Sequence, residues 1–81
     1  MPEWRVLVTR TARKSLERFD GKTRRRLRDA IDNLMQGDIK KLHGRENQFR
    51  LRVGPYTVIF TPDYQNRTLT ILDVFPRGQD Y

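Results

Sequence analysis

The sequence predicts an α+β fold in which a hairpin of two helices packs on one face of a four-stranded, mostly antiparallel sheet, in the order β-α-α-β-β-β. Two patterns predict this fold. Apolar residues recur with the three- and four-residue spacing of helices between residues 11 and 36, and they alternate with polar residues before and after that segment, as in strands. We expect one domain that covers residues 1–81.

The first predicted strand covers residues 4–9, WRVLVT. Trp4, Val6 and Val8 lie on one face by alternation, and Leu7 places a further apolar side chain on the opposite face. Because both faces carry apolar side chains, we expect this strand to be covered on both sides and to lie centrally in the sheet.

The first helix is predicted to begin at Thr11, whose hydroxyl group suits an N-cap. Ala12, Leu16 and Phe19 then form an apolar stripe at spacings of four and three residues. Asp20 follows as the expected N-cap of the second helix. A connection this short predicts two antiparallel helices that lie together on the sheet.

The second helix is predicted over residues 22–36, with Gly37 as its left-handed C-terminal cap. Its first half is strongly basic, although cations at the start of a helix oppose the helix dipole. These charges either form a solvated face or contact a nucleic acid or an acidic partner. The apolar stripe consists of Leu27, Ala30, Ile31, Leu34 and Met35, and the basic run consists of Lys22, Arg24, Arg25, Arg26 and Arg28.

A β-hairpin is predicted for residues 48–60, QFRLRVGPYTVIF, with its turn at Gly54-Pro55. The alternating pattern gives this hairpin an apolar face for the helices and an open face that carries two arginines. By this pattern Phe49, Leu51 and Val53 share the apolar face, and Gln48, Arg50 and Arg52 share the open face.

Two further segments complete the predicted chain. Residues 68–75, TLTILDVF, form the last strand, which ends at Pro76. Residues 38–47 lack hydrophobic periodicity and contain Gly44, so they are predicted to form a loop. The basic character of this loop comes from Lys40, Lys41, His43 and Arg45.

The composition favours a partner of negative charge. Seventeen basic and ten acidic residues give a net charge of +7, which suits a nucleic acid or an acidic protein. The chain has no cysteine and one histidine, so neither a thiol nucleophile nor a metal site is expected, and no cofactor is predicted. No apolar run approaches the roughly 18 residues of a membrane span, and a cytoplasmic protein is expected.

Taken in order, three segments resemble the RelE/ParE toxin superfamily of bacterial type II toxin-antitoxin systems. They are VTRTARKSLERF at the first strand and helix, KLHG followed by FRLRVGPYTVIF at the hairpin, and LTILDVFPRGQDY at the end. Together these segments cover nearly the whole chain. The resemblance implies a RelE-like fold, and we favour the RelE-like branch of the superfamily.

The RelE branch implies a ribosome-dependent endoribonuclease, an mRNA interferase that cuts messenger RNA in the decoding site without a metal. In that scheme the 2′-hydroxyl of the RNA attacks the adjacent phosphate, and cations stabilise the phosphorane. The family's basic strand pair falls on Arg50 and Arg52, its C-terminal arginine on Arg77 and its near-terminal tyrosine on Tyr81. Further contacts with the RNA backbone are expected from Lys40, Lys41 and Arg45.

Two departures from the family pattern concern the chemistry. Thr57 stands where the family carries a strand arginine, which removes one phosphate-binding cation. The pair Arg50 and Arg52 replaces a pair that often includes lysine, and a guanidinium group, which stays protonated far above neutral pH, is a poor proton acceptor. The remaining candidates for proton transfer are Tyr81, Glu46 and His43.

The resemblance also leaves two alternatives open. One is a ParE-like inhibitor of DNA gyrase, and the other is an inactive member that only binds its antitoxin in an operator complex. All three interpretations imply an acidic, partly disordered antitoxin that covers the basic toxin. Operator DNA is then contacted only through the antitoxin, and no membrane is involved.

Overall fold

The sheet of this protein has five strands, which follow one another across it in the order β1-β5-β4-β3-β2. The structure, a computed structural model, describes residues 5–34, 38–42, 44 and 47–76. Strand β1 pairs in parallel with β5, and the other neighbours pair antiparallel. The elements are β1 (Arg5–Val8), α1 (Arg10–Glu17), α2 (Gly21–Asp32), β2 (Asp38–Lys41), β3 (Phe49–Val53), β4 (Tyr56–Asp63) and β5 (Thr68–Pro76).

This architecture confirms the predicted α+β class, with one strand more than the four predicted. The additional strand is β2, which lies within the segment predicted as a loop. Ile39 pairs with Leu51 and Lys40 with Arg50, so β2 forms one edge of the sheet beside β3. Cross-strand pairing here overrides a local sequence that is short and shows no alternation.

Strand β1 lies at the opposite edge of the sheet, and the prediction of a central, doubly covered strand is wrong. Val6, Leu7 and Val8 are 38%, 48% and 36% exposed. Apolar residues on both faces of a strand do not determine how many neighbours it has. Among the described strands, β1 pairs with β5 alone, and β5 pairs with β4 on its other side.

The cap of α1 is Thr9, two residues before the predicted Thr11. Its Oγ1 accepts a hydrogen bond of 3.1 Å from the amide of Ala12. The same hydroxyl donates to the carbonyl oxygens of Ile71 and Leu72 at 3.0 Å each. One side chain therefore caps the helix and fixes its start to β5.

Asp20 caps α2 as predicted, with its Oδ1 accepting a 2.8 Å hydrogen bond from the amide of Thr23. Hydrogen bonds from the side chain and the backbone of Thr23 lower the pKa of Asp20. The helix ends at Asp32, four residues before its predicted end at residue 36, with Asn33 at its C-cap. The predicted cap Gly37 lies outside the described residues.

The core lies between the helices and one face of the sheet. It confirms the predicted apolar stripe of the first helix, that of the second helix as far as Leu34, and the apolar face of the hairpin, whereas Met35 lies outside the described residues. Phe19 and Tyr56 are in aromatic contact, with 5.0 Å between their ring centroids. Neither α1 nor α2 is long and apolar enough to cross a membrane. The buried core residues are Ala12, Leu27, Ile31, Leu34, Leu51, Val53, Val58, Phe60, Leu69, Ile71 and Val74.

Candidate functional site

The open face of the sheet, opposite the helices, carries the predicted arginine pair. In β3, Leu51 and Val53 are buried in the core, whereas Arg50 and Arg52 alternate with them and are half-buried. A strand rises by about 3.3 Å per residue, so the two arginine Cα atoms lie about 6.6 Å apart on one face. The strand thus carries two arginine side chains on one face, and the Nη1 atom of Arg50 is buried.

Strand β2 adds a third cation to this face. Lys40 lies directly opposite Arg50 in the antiparallel register, so the two side chains share a face of the sheet. Lys41 lies opposite Phe49 and therefore points to the other face. Both lysines are exposed. The structure therefore brings Lys40 to the arginine pair but not Lys41. We call Lys40, Arg50 and Arg52 the sheet cations.

Strand β4 pairs with β3 and places two buried residues next to the two arginines. Thr57 pairs with Arg52 and Ile59 with Arg50, and the two β4 residues are 1% and 2% exposed. Within the described part of the chain, the Oγ1 atom of Thr57 has no hydrogen-bond partner. Thr57 is thus a small buried side chain beside Arg52.

Strand β5 adds Phe75 to this face of the sheet, a residue that the sequence analysis did not assign to the site. Phe75 pairs with Thr57, so a row across three strands contains Arg52, Thr57 and Phe75. Phe75 is half-buried. The position of Phe75 next to Thr57 and Arg52 depends on two strand pairings. The turn at Gly54-Pro55 determines the first of them, between β3 and β4. The second is the pairing of β4 with β5, which contains a bulge beside Ile59.

Asp73, the one acidic residue of β5, is held by contacts inside the fold. It pairs with Ile59, and its Oδ1 accepts hydrogen bonds from the Ser15 hydroxyl at 3.0 Å and from the Val74 amide at 2.8 Å. These bonds tie α1 to β5 and occupy one carboxylate oxygen. Asp73 therefore serves the helix–sheet junction.

The other predicted site residues lie outside the described residues. These are Arg45, Arg77 and Tyr81, together with the proton-transfer candidates His43 and Glu46. Their roles stay predictions. Within the described ranges, the His, Asp and Glu side chains form no group of three that could hold a metal ion.

The arrangement on the open face suits recognition of a phosphate group. A guanidinium group donates hydrogen bonds to phosphate oxygens, and Arg50 and Arg52 place two guanidinium groups on one strand, with the Nη1 atom of Arg50 buried. Lys40 adds a point charge next to Arg50. The ring of Phe75 lies in the same row as Arg52 and offers an aromatic surface for a base.

Comparison with known proteins places the chain in a family. Residues 6–81 match the family model described as the ParE toxin of the type II toxin-antitoxin system parDE. The chain belongs to this toxin family. The match spans nearly the whole sequence, and the superfamily resemblance seen in the sequence is thereby confirmed. No curated protein matches the sequence.

Solved structures show the same fold. The chain is similar to a chain of the archaeal RelE-RelB complex from Pyrococcus horikoshii OT3, with 27% identity, a TM-score of 0.77, and 95% of this chain and 98% of that chain covered. It is also similar to the RelB-RelE complex from Methanococcus jannaschii, with 28% identity, a TM-score of 0.73 and coverages of 88% and 89%. A chain of the toxin-antitoxin complex RelBE2 from Mycobacterium tuberculosis is similar as well, with 27% identity, a TM-score of 0.75, and 91% of this chain and 98% of that chain covered.

Proposed function

We propose that this toxin is a ribosome-dependent endoribonuclease that cleaves messenger RNA in the cytoplasm. The observation that supports it is the group of sheet cations, Lys40, Arg50 and Arg52, on the face of the sheet opposite the core residues Leu51 and Val53. Three cations fixed on two paired strands match the negative charge that develops on a phosphate during transfer. The similar chains from RelE-RelB complexes fit the same assignment.

In the proposed reaction the 2′-oxygen of the RNA forms a bond to the adjacent phosphorus. The bond from that phosphorus to the 5′-oxygen of the next nucleotide breaks, which leaves a 2′,3′-cyclic phosphate and a 5′-hydroxyl. One proton leaves the 2′-hydroxyl and one reaches the departing 5′-oxygen. Arg50 and Arg52 stabilise the charge on the phosphorane, and neither acts as the base because a guanidinium does not lose its proton at neutral pH.

Two residues beyond the described part of the chain have proposed roles in this reaction. Arg77 is proposed as a further phosphate-binding cation, and Tyr81 as a partner in proton transfer or base stacking. Lys40 and Arg45 are proposed to bind the flanking RNA backbone. Lys41 faces away from the arginine pair and is proposed to contact a different phosphate.

We further propose that an acidic antitoxin holds the toxin inactive and alone contacts operator DNA. The net charge of +7 favours association with an acidic chain, and the exposed Val6, Leu7 and Val8 of β1 offer it an apolar edge. The complexes to which this chain is similar contain RelB together with RelE.

Gyrase inhibition is the second candidate function. It is favoured by Thr57, which puts a buried hydroxyl where the family has a cation, and by the match to the ParE model. On this alternative the toxin binds its target without cleaving RNA, and its toxicity does not depend on Arg50 and Arg52.

Expression of the toxin in growing cells separates the two functions. We expect new 5′ ends within translated messages, mapped by primer extension, while the plasmid remains supercoiled and the DNA-damage response stays silent. Arg52→Ala should abolish the new ends, whereas Arg5→Ala on the exposed edge strand serves as a matched control and should retain them. Intact messages together with damaged DNA would instead establish the gyrase alternative.

A further inference from the structure

The charges of α2 run against its own dipole. Lys22 lies in the first turn and the last cation of the helix is Arg28, whereas Asp29 and Asp32 lie in the last turn. The first turn contains no acidic residue, and the last turn contains no basic one. A helix dipole favours the opposite order, so this pattern costs helix stability. The cations of α2 therefore call for an explanation outside the helix itself.

Two of these cations have structural roles. The Nη1 of Arg24 donates to the carbonyl oxygen of Phe19 and so ties α2 to the connection that follows α1. The guanidinium of Arg26 lies against Gly54, where an added Cβ would meet its Nη2 at 2.6 Å. Gly54 has a φ of +56°, so a glycine suits both the turn and the contact.

The remaining cations of both helices are exposed, and within the described part of the chain their side chains make no hydrogen bond or ion pair. Residues 10–32 contain nine basic and four acidic residues, which is a net +5 out of the +7 of the whole chain. We call these unpaired cations the helix face. It consists of Arg10, Arg13, Lys14, Arg18, Lys22, Arg25 and Arg28.

The helix face carries charge without apolar surface. The large apolar side chains that are exposed in the described part of the chain are Val6, Leu7, Val8 and Tyr64, and none of them lies on a helix. A stable protein interface has an apolar centre, which the helix face does not offer. A single-stranded nucleic acid prefers aromatic stacking surfaces, and the helix face has none. A duplex exposes its phosphates on the outside, so exposed lysine and arginine side chains are sufficient to bind it without sequence specificity.

We propose that the helix face binds the phosphate backbone of a nucleic-acid duplex, on the side of the molecule opposite to the sheet cations. The toxin would then hold structured nucleic acid with its helices while the sheet face remains open to a single strand. This inference does not depend on cleavage, because duplex binding is measurable with the purified toxin alone.

The test is fluorescence anisotropy with duplexes of about 20 base pairs, one of RNA and one of DNA, over about 50 to 200 mM KCl. One variant carries Lys22→Gln, Arg25→Gln and Arg28→Gln. A control with the same loss of charge carries Lys40→Gln, Arg50→Gln and Arg52→Gln on the sheet. A higher affinity for one of the two duplexes identifies whether the helix face prefers RNA or DNA.

We expect the helix variant to lose about tenfold or more in duplex affinity and the slope of log K against log salt to fall by about 2 to 3 units. The sheet variant should change that slope by less than about 1 unit. Equal losses in both variants would overturn the proposal, because net charge alone would explain them. Wild-type duplex binding by the helix variant, with loss of antitoxin binding, would assign the face to a protein partner instead.

A single substitution separates binding from folding. Lys22→Glu places an anion in the first turn of α2, where it complements the dipole, so the midpoint of thermal unfolding should rise. Duplex affinity should fall in the same variant. A variant that gains stability and binds the duplex as tightly as wild type would contradict the proposal.

Discussion

The two cationic surfaces of this toxin lie on opposite sides of one sheet and differ in how their charges are held. Arg50 and Arg52 are half-buried on a paired strand, next to the buried Thr57. The cations of the helix face are exposed, and their side chains make no hydrogen bond with the described residues. Charges fixed on a strand can fit one phosphate geometry, whereas exposed side chains attract any polyanion.

This difference indicates how similar residues serve different purposes in one small chain. Exposed charges are screened by salt, and partly buried charges are screened less. Binding through the helix face should therefore decline steeply with salt, while recognition by the sheet cations should depend more on the shape of the substrate. Substitutions at five positions test how these surfaces and the fold beneath them work, from the largest expected effect to the smallest.

Loss of a sheet arginine should have the largest effect on activity. Arg50→Ala and Arg52→Ala should each lower the rate of message cleavage by on the order of a hundredfold or more, since each removes charge stabilisation from the transition state. The midpoint of thermal unfolding should fall less than it does for the core substitution Leu51→Ala, because both arginine side chains are half-buried but neither belongs to the hydrophobic core. Arg25→Ala on the helix face is the matched control and should keep the cleavage rate at saturating substrate. Full cleavage by both sheet variants would show that the active face lies elsewhere.

Leu51→Ala changes the residue between the two arginines and should affect stability instead. Leu51 is 1% exposed, and its truncation should cost about 3 kcal/mol of unfolding free energy. Urea unfolding followed by circular dichroism measures this loss. At a temperature where the variant is folded, cleavage per folded molecule should stay near the wild-type value. A small stability loss combined with lost cleavage would contradict the division of β3 into a core face and an active face.

Thr57→Val tests whether the buried hydroxyl group next to Arg52 has a role in cleavage. Thr57 is 1% exposed, and valine has nearly the same shape without the hydroxyl that has no partner in the described part of the chain. The variant should be more stable by about 1 kcal/mol and should cleave RNA at the wild-type rate. A loss of cleavage in a stable Thr57→Val protein would mean that the hydroxyl binds the substrate.

Asp20 offers the smallest and most local effect. Because hydrogen bonds from Thr23 lower the pKa of folded Asp20, its contribution to stability is present above the pKa of the unfolded chain, near pH 4. That contribution is lost as the pH falls through the lowered pKa of the folded state. Asp20→Asn keeps a cap and should show a weaker dependence of the unfolding midpoint on pH over this acid range. An unchanged pH dependence would contradict this role.

The sequence was sufficient to predict the parts of the fold that depend on local pattern. Alternation and the Gly54-Pro55 turn placed Leu51 in the core and Arg50 and Arg52 on the open face, as the structure confirms. Asp20 was recognisable as a cap because its side chain can reach the amide of Thr23 within one turn.

What depends on neighbours in space was not predictable. The pattern of β1 shows apolar residues on both faces, but its edge position follows from which strands pair with β5. The short β2 becomes a strand because β3 offers a partner. The burial of Thr57 and the alignment of Phe75 with Arg52 arise from the register of three strands, which alternation within one strand does not reveal.

The most direct measurement adds the purified toxin to ribosomes that translate a defined message and maps the message ends by primer extension, with a ribosome-free control. We expect new 5′ ends at codons in the decoding site, only when ribosomes are present, and none with the Arg50→Ala/Arg52→Ala variant. A message that stays intact on translating ribosomes, or is cut equally well by that variant, would contradict the assignment of the sheet cations as an RNA-cleaving site.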